Sequence, residues 1–307
     1  MSSHAPTASI ALAWQELPYA AWHDTMDTLH MELQVIGKLR LALSPFEPQW
    51  ANVPLYLTAR GLTTTPMSAS GVVFQVDVDL IEHQVVIATT GGDVERVQLA
   101  PRPVAAFYRD LMKALGTLGI SVEITRVPSE VSNPIPFDDD ETHVAYDAPW
   151  ATRFFQVLSG IDLVLKEHRS RFRGKTSLVN FFWGTFDLAL TRYSGRAVDP
   201  PADAGIIRRL GGDAEVLCVG FWPGNDRLPA PAFYGYGYPS PPGLEQEKLK
   251  PSAAQWDPAA GEFILPYDDV RRTGSPREAI LEFSESVYAA GSRLARWDPS
   301  LVIPRQT

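Results

Sequence analysis

Cysteine is nearly absent: Cys218 is the single one in 307 residues. That excludes an intramolecular disulfide and any cysteine-rich zinc site. Its neighbours, Val216 to Phe221, are apolar, so a buried, inert thiol is expected rather than a nucleophile. Long apolar runs are missing too. No stretch approaches the roughly 18 apolar residues of a membrane span. The opening segment, MSSHAPTASIALAW, has no basic region and too short an apolar run for a secretory signal. A cytoplasmic, reduced protein with no membrane partner is expected. Positive charge is also in deficit, 27 lysines and arginines against 36 aspartates and glutamates, a net charge of −9. A phosphate-backbone binder normally has the opposite sign, so no nucleic-acid partner is expected. The densest basic group, His168 to Lys175, reads as the solvated end of a helix.

Recognised catalytic signatures are absent. There is no HExxH, no G-x-S-x-G, no Walker loop, and no G-x-G-x-x-G between a strand and a helix. His30, His83, His143 and His168 show no metal-ligand spacing, so no metal and no cofactor is indicated.

What is present is regular patterning. Trp22, Met26, Leu29, Leu33 and Ile36 recur at spacings of four and three, predicting a helix with one buried face. Beside it runs a polar stripe, His23, Asp27, His30, Gln34 and Lys38, which fits a cavity wall or a solvated shoulder; the shoulder is preferred for His23 and Asp27. Alternation predicts strands over Val53–Leu62 and Val72–Leu80, and a hairpin from Gln84–Thr90 to Val94–Leu99 across Gly91-Gly92-Asp93. Pro103 then opens a helix with apolar Val104, Phe107, Leu111, Leu115 and Leu118. Val127 to Ala148, rich in proline and acid, has no period and reads as a linker.

Pro149 opens the next helix, in which His168 takes an apolar position and fits a hydrogen-bonded core histidine. A long strand, Asn180 to Arg196, is followed by Glu215–Trp222, Ala232–Tyr238 and Phe263–Tyr267. Ser275-Pro276-Arg277-Glu278 is a capping box that starts a last helix. The expected fold is therefore α+β, a tandem pseudo-repeat of helix, antiparallel β-meander of about four strands, and helix, packed as one pseudo-twofold unit. Its boundaries are a flexible tail 1–13, a first half 14–127, a linker 128–148, a second half 149–298 and a tail 299–307. LYLT at Leu55 and LALT at Leu188 are the string the halves share.

The central strand carries the chemistry. In strict alternation Phe182, Gly184, Phe186, Leu188 and Leu190 share an apolar face. Trp183, Thr185, Asp187, Thr191 and Tyr193 share the other. Asp187 fits a structural carboxylate held by hydroxyls or an arginine, or a base in a concave site. Tyr234, Tyr236 and Tyr238 line one face of their strand, while Gly235 and Gly237 admit a close neighbour, a packed element or a ligand, on the other. With Phe221, Trp222 and Tyr267 they provide aromatic surface for a pocket. Arg60 and Arg192 read as partners of carboxylates such as Asp77 or Asp187, or as a clamp on a substrate anion.

The strings TLHMELQVIGKLRLAL, VPLYLTARGLTTTPM, PIPFDDDETHVAYD, GKTSLVNFFWGTFDLALTRYSGR, GFWPG, PAFYGYGYP and GEFILPYDDV together resemble an uncharacterised bacterial family, domain of unknown function 5996. The similarity runs from about Trp14 to Trp297. It brings no activity, but it singles out His30, Lys38, Arg40, Arg60, His143, Tyr146, Lys175, Trp183, Asp187, Arg192 and Arg196. Asn180 departs from it, standing where members often have histidine, which weakens any scheme needing a ligand or base there.

The expected function is a soluble enzyme acting on a small anionic molecule between the halves. His30, His143 and Asp187 would move protons. Lys38, Arg60 and Arg192 would hold the anion, with Trp183 and Tyr236 as wall. A non-catalytic binding protein with an aromatic cavity and a scaffold with internal salt bridges are the alternatives. Self-association into a homo-oligomer is compatible with the sequence.

Overall fold

The computed structural model describes residues 14–303, so the expected tail 1–13 and residues 304–307 lie outside the described residues. The fold is α+β, built on two six-stranded antiparallel sheets among the described residues.

The first helix, α1 (His23–Leu43), buries the expected stripe and more, because every residue from Met31 to Arg40 is buried. It is a central helix rather than one with a single buried face. Packing of α1 against α2 (Val104–Thr117), α3 (Ala148–Ser170) and the first sheet explains this. That sheet contains β1 (Tyr56–Leu57), β2 (Gly61–Thr63), β3 (Met67–Ala69), β4 (Val72–Asp79), β5 (Gln84–Thr89) and β6 (Val94–Gln98). Its order is β1-β2-β4-β5-β6, with β3 also on β4.

The single strand expected over Val53–Leu62 is instead a tight hairpin, β1 to β2, closed by Thr58 N–H donating to Gly61 O at 2.8 Å. Gly61 makes the turn possible: at φ 154° a Cβ there would sit 1.9 Å from Val78 O. The connection 118–147 contains no helix or strand, but it packs closely, with Phe137 and Asp140 fully buried.

The second sheet has the order β11-β12-β10-β9-β8-β7. Its strands are β7 (Asn180–Phe182), β8 (Asp187–Ala197), β9 (Ala214–Trp222), β10 (Ala232–Tyr238), β11 (Gln255–Asp257) and β12 (Glu262–Pro266). The long strand expected from Asn180 is therefore broken. Phe182 pairs with Asp187 across Trp183-Gly184-Thr185-Phe186, a four-residue hairpin loop with Phe186 at φ 60° and its N–H donating to Phe182 O at 2.8 Å. Two-residue alternation stops at that turn, so Phe182 lies on the same face as Asp187, in the cluster of Ala189, Cys218 and Tyr234. Short elements without a sequence signal complete this half: α4 (Ile206–Gly211), α5 (Tyr267–Arg271) and β11. The last helix, α6 (Pro276–Leu294), starts where the capping box predicts, but Ser275 makes no side-chain capping bond and Glu278 accepts from Arg277 instead.

The sheets meet edge to edge. Leu55, just before β1, and Phe181 of β7 exchange two backbone hydrogen bonds of 2.9 Å. LYLT thus lies in the edge strand of its sheet and LALT in the second strand of the other, so the shared string marks different positions in the two sheets. One face of the second sheet is covered by α3 and α6. Gly235 serves that packing: a Cβ there would fall 2.6 Å from Val287 Cγ2 of α6. The other face, with Asp187, Cys218, Tyr234 and Tyr236, carries a cavity.

Two features of α1 give measurable expectations. At Gly37 an added Cβ would lie 2.2 Å from the Trp183 ring. Gly37→Ala is therefore expected to cost about 2–3 kcal/mol of unfolding stability or to abolish folding, as overpacking does. Gly116→Ala, in α2 with nothing within 4 Å of the new Cβ, is expected to gain about 0.5–1 kcal/mol. Paired chemical denaturation measures both.

Glu32 is 0% exposed, neither carboxylate oxygen has a hydrogen-bond partner among the described residues, and burial pushes its pKa up to about 8. The folded chain therefore keeps a proton that the unfolded chain releases above the ordinary value of 4.5. Stability contributed this way is complete below 4.5 and falls as pH rises toward 8, by at most about 1.4 kcal/mol per pH unit. Glu32→Gln is expected to flatten that slope in melts run from pH 5 to 9.

Candidate functional site

A cavity of about 1300 Å³ lies over the outer face of the second sheet. Strand alternation supplies its floor: Asp187, Ala189, Thr191 and Tyr193 from β8, Cys218 and Trp222 from β9, Tyr234 and Tyr236 from β10, and Glu262 from β12. Its walls are Asp27 and His30 of α1, Ser129 and Glu130 of the long connection, the turn at Gln49-Trp50, α4, and the loop 224–228.

Asp187 is the centre of this surface. It is 8% exposed and accepts hydrogen bonds from Thr185 Oγ1 on one oxygen and the Tyr234 hydroxyl on the other. Burial raises its pKa while those two donors pull it down. Gly220 makes room for the tyrosine, since a Cβ there would lie 2.3 Å from the Tyr234 hydroxyl. Glu130 and Glu262 sit in the same cavity and feel the Asp187 charge. Burial, then Asp187, raises the pKa of Glu130, and the same causes with Asp257 push Glu262 up to about 7. The aromatic part of the floor is continuous: Tyr234 and Tyr236 stack at 6.2 Å and 14°, and Trp222 lies 5.8 Å from Tyr234. The Trp222 indole N–H is buried without a partner among the described residues.

Of the residues singled out in the sequence, His30, Trp183, Asp187 and Tyr236 line this cavity together. His30 Nε2 is 3.0 Å from Gly184 O, its ring lies 4.8 Å from Phe186, and burial lowers its pKa to about 4, so it is neutral at pH 7. Asp27, expected on a solvated shoulder, also lines the cavity. Trp183 is pinned, its indole donating to Val53 O at 3.0 Å. Lys38 stands behind it, Nζ 5.6 Å from the ring and donating to Ser129 Oγ at 3.0 Å. His143 lies behind Asp27, bonded through Nδ1 to Asp140 at 2.7 Å, and that carboxylate holds its pKa up.

The two arginines are elsewhere. Arg60 is half exposed on the β1–β2 turn and pairs with Asp79 at 2.6 Å and Glu82 at 3.6 Å, not with Asp77. Arg192 is 1% exposed on the helix-covered face of its sheet. There it lies over Phe172 and Tyr288, 3.4 Å from Glu285 and bonded to His168 O, and makes no contact with Asp187. Residues of β8 face opposite ways when their separation is odd, and 187 to 192 is odd. Phe221 and Tyr267, counted with the pocket aromatics, are core residues 5.5 Å apart. His168 is the expected core histidine, 2.9 Å from Glu285. Cys218 is buried with its thiol pushed up to about 12.

Glu130 and Glu262 are not among the residues that the sequence pattern singles out. Alternation could have found Glu262, which opens a strand opposite in face to Phe263 and Leu265; Glu130 lies in an aperiodic segment and left no signal. Among the described residues no group of three or more His, Cys, Asp or Glu side chains is arranged to hold a metal ion, and no helix is long and apolar enough to cross a membrane.

Fold and site together define a two-sheet α+β protein with an aromatic cavity lined by carboxylates. The chain matches the family of unknown function DUF5996 over residues 14–303 and belongs to that family. No curated protein and no solved structure matches it.

Tyr234→Phe removes one of the two side-chain donors holding the Asp187 anion. The Asp187 carboxyl pKa is expected to rise further, read from its carboxyl infrared band or carbon-13 shift across a pH titration. A stability loss of about 1–2 kcal/mol should accompany it at pH values where the carboxylate is charged.

Proposed function

We propose that the protein is an enzyme that binds a small polar or cationic molecule on the aromatic floor of the large cavity and moves a proton between it and the cavity carboxylates. One observation carries this reading: Asp187, Glu130 and Glu262 line one cavity, and Glu262 is pushed to a pKa of about 7 by burial and by its acidic neighbours. A carboxyl group that titrates near neutrality beside a fixed carboxylate suits general acid–base work. The stacked Tyr234 and Tyr236 favour a flat or cationic group above them. An anionic group on this floor would meet those carboxylates, while the arginines of the lining stand at its margin, Arg208 over Tyr238 and Arg227 3.7 Å from Asp257. Arg60 and Arg192, which would have received it, are paired with internal carboxylates away from the cavity.

A purely binding role is the second reading, favoured by the same aromatic floor. Thermal-shift screening of the purified chain with organic amines and uncharged polyols separates the possibilities. The acid–base reading expects amines to stabilise the wild type, more at pH 8 than at pH 6, because Glu262 gains its charge between them. Asp187→Asn and Glu262→Gln should each weaken that effect about tenfold in affinity, the scale of one lost charge-assisted contact. Turnover of a stabilising compound with a kcat/KM limb near pH 7 that disappears in Glu262→Gln supports catalysis. Binding without turnover leaves the non-catalytic role, and amine affinity unchanged in both variants refutes this site.

A further inference from the structure

Beside the large cavity is a second one, of about 390 Å³, with a different charge. It lies between the C-terminal end of α1, the turn Glu47 to Ala51, and the segment Lys175 to Asn180 that leads into and begins β7. Gln49, Asn180 and Tyr193 line both spaces, so the two adjoin.

Arg40 is its distinctive residue. It is 6% exposed, a guanidinium nine-tenths buried, yet no carboxylate lies within 4.0 Å of it among the described residues. Its Nη1 donates to Thr64 O and, at 2.7 Å, to Thr65 Oγ1, while its Nε–H has no partner among the described residues. The Tyr56 ring, 5.2 Å from the guanidinium carbon, covers one side. A buried cation with an unused donor and no ion-pair partner is costly; Arg192, which also leaves Nε and Nη1 unbonded, at least has Glu285 at 3.4 Å to meet its charge. Lys175 supplies a second cation on the opposite wall, held by Gln49 Oε1 and lying 4.8 Å from the Tyr193 ring. Glu47 is the one carboxylate in the lining, and neither cation pairs with it. The backbone around them is constrained. Gln49 and Thr65 both have positive φ, 58° and 62°, and a β-branched residue there is a steric outlier that its surroundings must hold in place.

We propose that this second cavity is an oxyanion subsite, in which the Arg40 guanidinium and the Lys175 ammonium hold a carboxylate or phosphate group. Hydroxyls of Thr65, Thr176 and Ser177 in the lining add donors of the kind such a group accepts. An anion there supplies the missing counter-charge to Arg40. Because Asn180 and Tyr193 are common to both spaces, the rest of the molecule bearing the anion has a path toward the large cavity. The subsite stands on residues other than those of the acid–base reading and does not depend on it.

Binding of inorganic phosphate and of malonate to the full chain, by isothermal titration at constant ionic strength, tests the assignment. Saturable binding of one of them in the range of about 1 mM is expected, the affinity of a few charge-assisted contacts. Preference for phosphate identifies a phosphorylated ligand and preference for malonate a carboxylate one. Lys175 is exposed, so Lys175→Gln leaves the fold intact, and it should weaken binding at least about fivefold, a loss of about 1 kcal/mol. Arg40→Lys, which keeps the charge but removes Nε and the planar fork, should weaken it as well. Arg60→Gln, away from the cavity and half exposed, should leave it unchanged. No saturation by either anion up to about 20 mM, or equal affinity in Lys175→Gln, overturns the proposal.

Discussion

The seating of Trp183 on the bare backbone of α1 at Gly37 is the contact on which the arrangement depends. A β-carbon at that position would stand 2.2 Å from the indole, so the hairpin loop can approach the helix only because residue 37 is glycine. The indole N–H is then satisfied by Val53 O, and Leu55 two residues on exchanges hydrogen bonds with Phe181. One aromatic ring therefore ties the second sheet's first hairpin to the helix and the edge strand of the first half. It also sets the distance between that hairpin and His30, whose ring nitrogen reaches Gly184 O in the same loop. The cavity wall follows from this contact, because Asp187 begins the strand that leaves the loop.

Charge is sorted by face. On the helix side of the second sheet, Arg192, His168 and Arg171 gather on Glu285, and although burial raises that carboxyl's pKa, the His168 hydrogen bond and the Arg192 charge hold it down to about 2. On the cavity side Glu130, Asp187 and Glu262 form no ion pair among the described residues, and burial raises their pKa values. The same strand serves both, since Asp187 and Arg192 project from opposite faces of β8. The two faces of one sheet thus hold buried ionisable groups in different ways, a carboxylate met by cations on one and carboxyls without an ion pair on the other.

Much of the secondary structure was legible because periodicity reports burial, as in the Trp22 to Ile36 stripe of α1, the Phe74, Val76, Val78 alternation of β4, and the Val104 to Leu115 face of α2. It failed at tight turns. Gly61 and the Trp183 to Phe186 loop reverse the chain inside runs whose composition is entirely strand-like, and each reversal changes which residues share a face. That is why strict alternation puts Phe182 on the face opposite Asp187. Arg192 was legible as an ion-pairing residue but not as Glu285's partner, because residue 285 lies 93 positions away on α6. Glu130 was illegible for a different reason: a segment without regular structure has no period to read, and its position is set by Gln34, which bonds both the N–H and the carbonyl of Ser129.

The helix expected to be amphipathic instead holds ionisable residues on its buried side, and that explains its role. Glu32, Lys38 and Arg40 are all buried within α1, and His30 stands among them. Sequence pattern alone makes such a helix look half solvated; being enclosed by α2, α3 and the first sheet converts the same residues into internal polar groups. His30 faces the acidic cavity and Arg40 the smaller one, ten residues apart, which is about 15 Å along the axis at 1.5 Å per residue. Their positions differ by roughly 80° around it, at 3.6 residues per turn. One rigid element thus presents a neutral imidazole to a space lined by carboxylates and an uncompensated guanidinium to its neighbour. The separation between acidic and basic environments is fixed by helix geometry rather than by a flexible loop. A molecule engaging both would need opposite character at its two ends and a length comparable to that span.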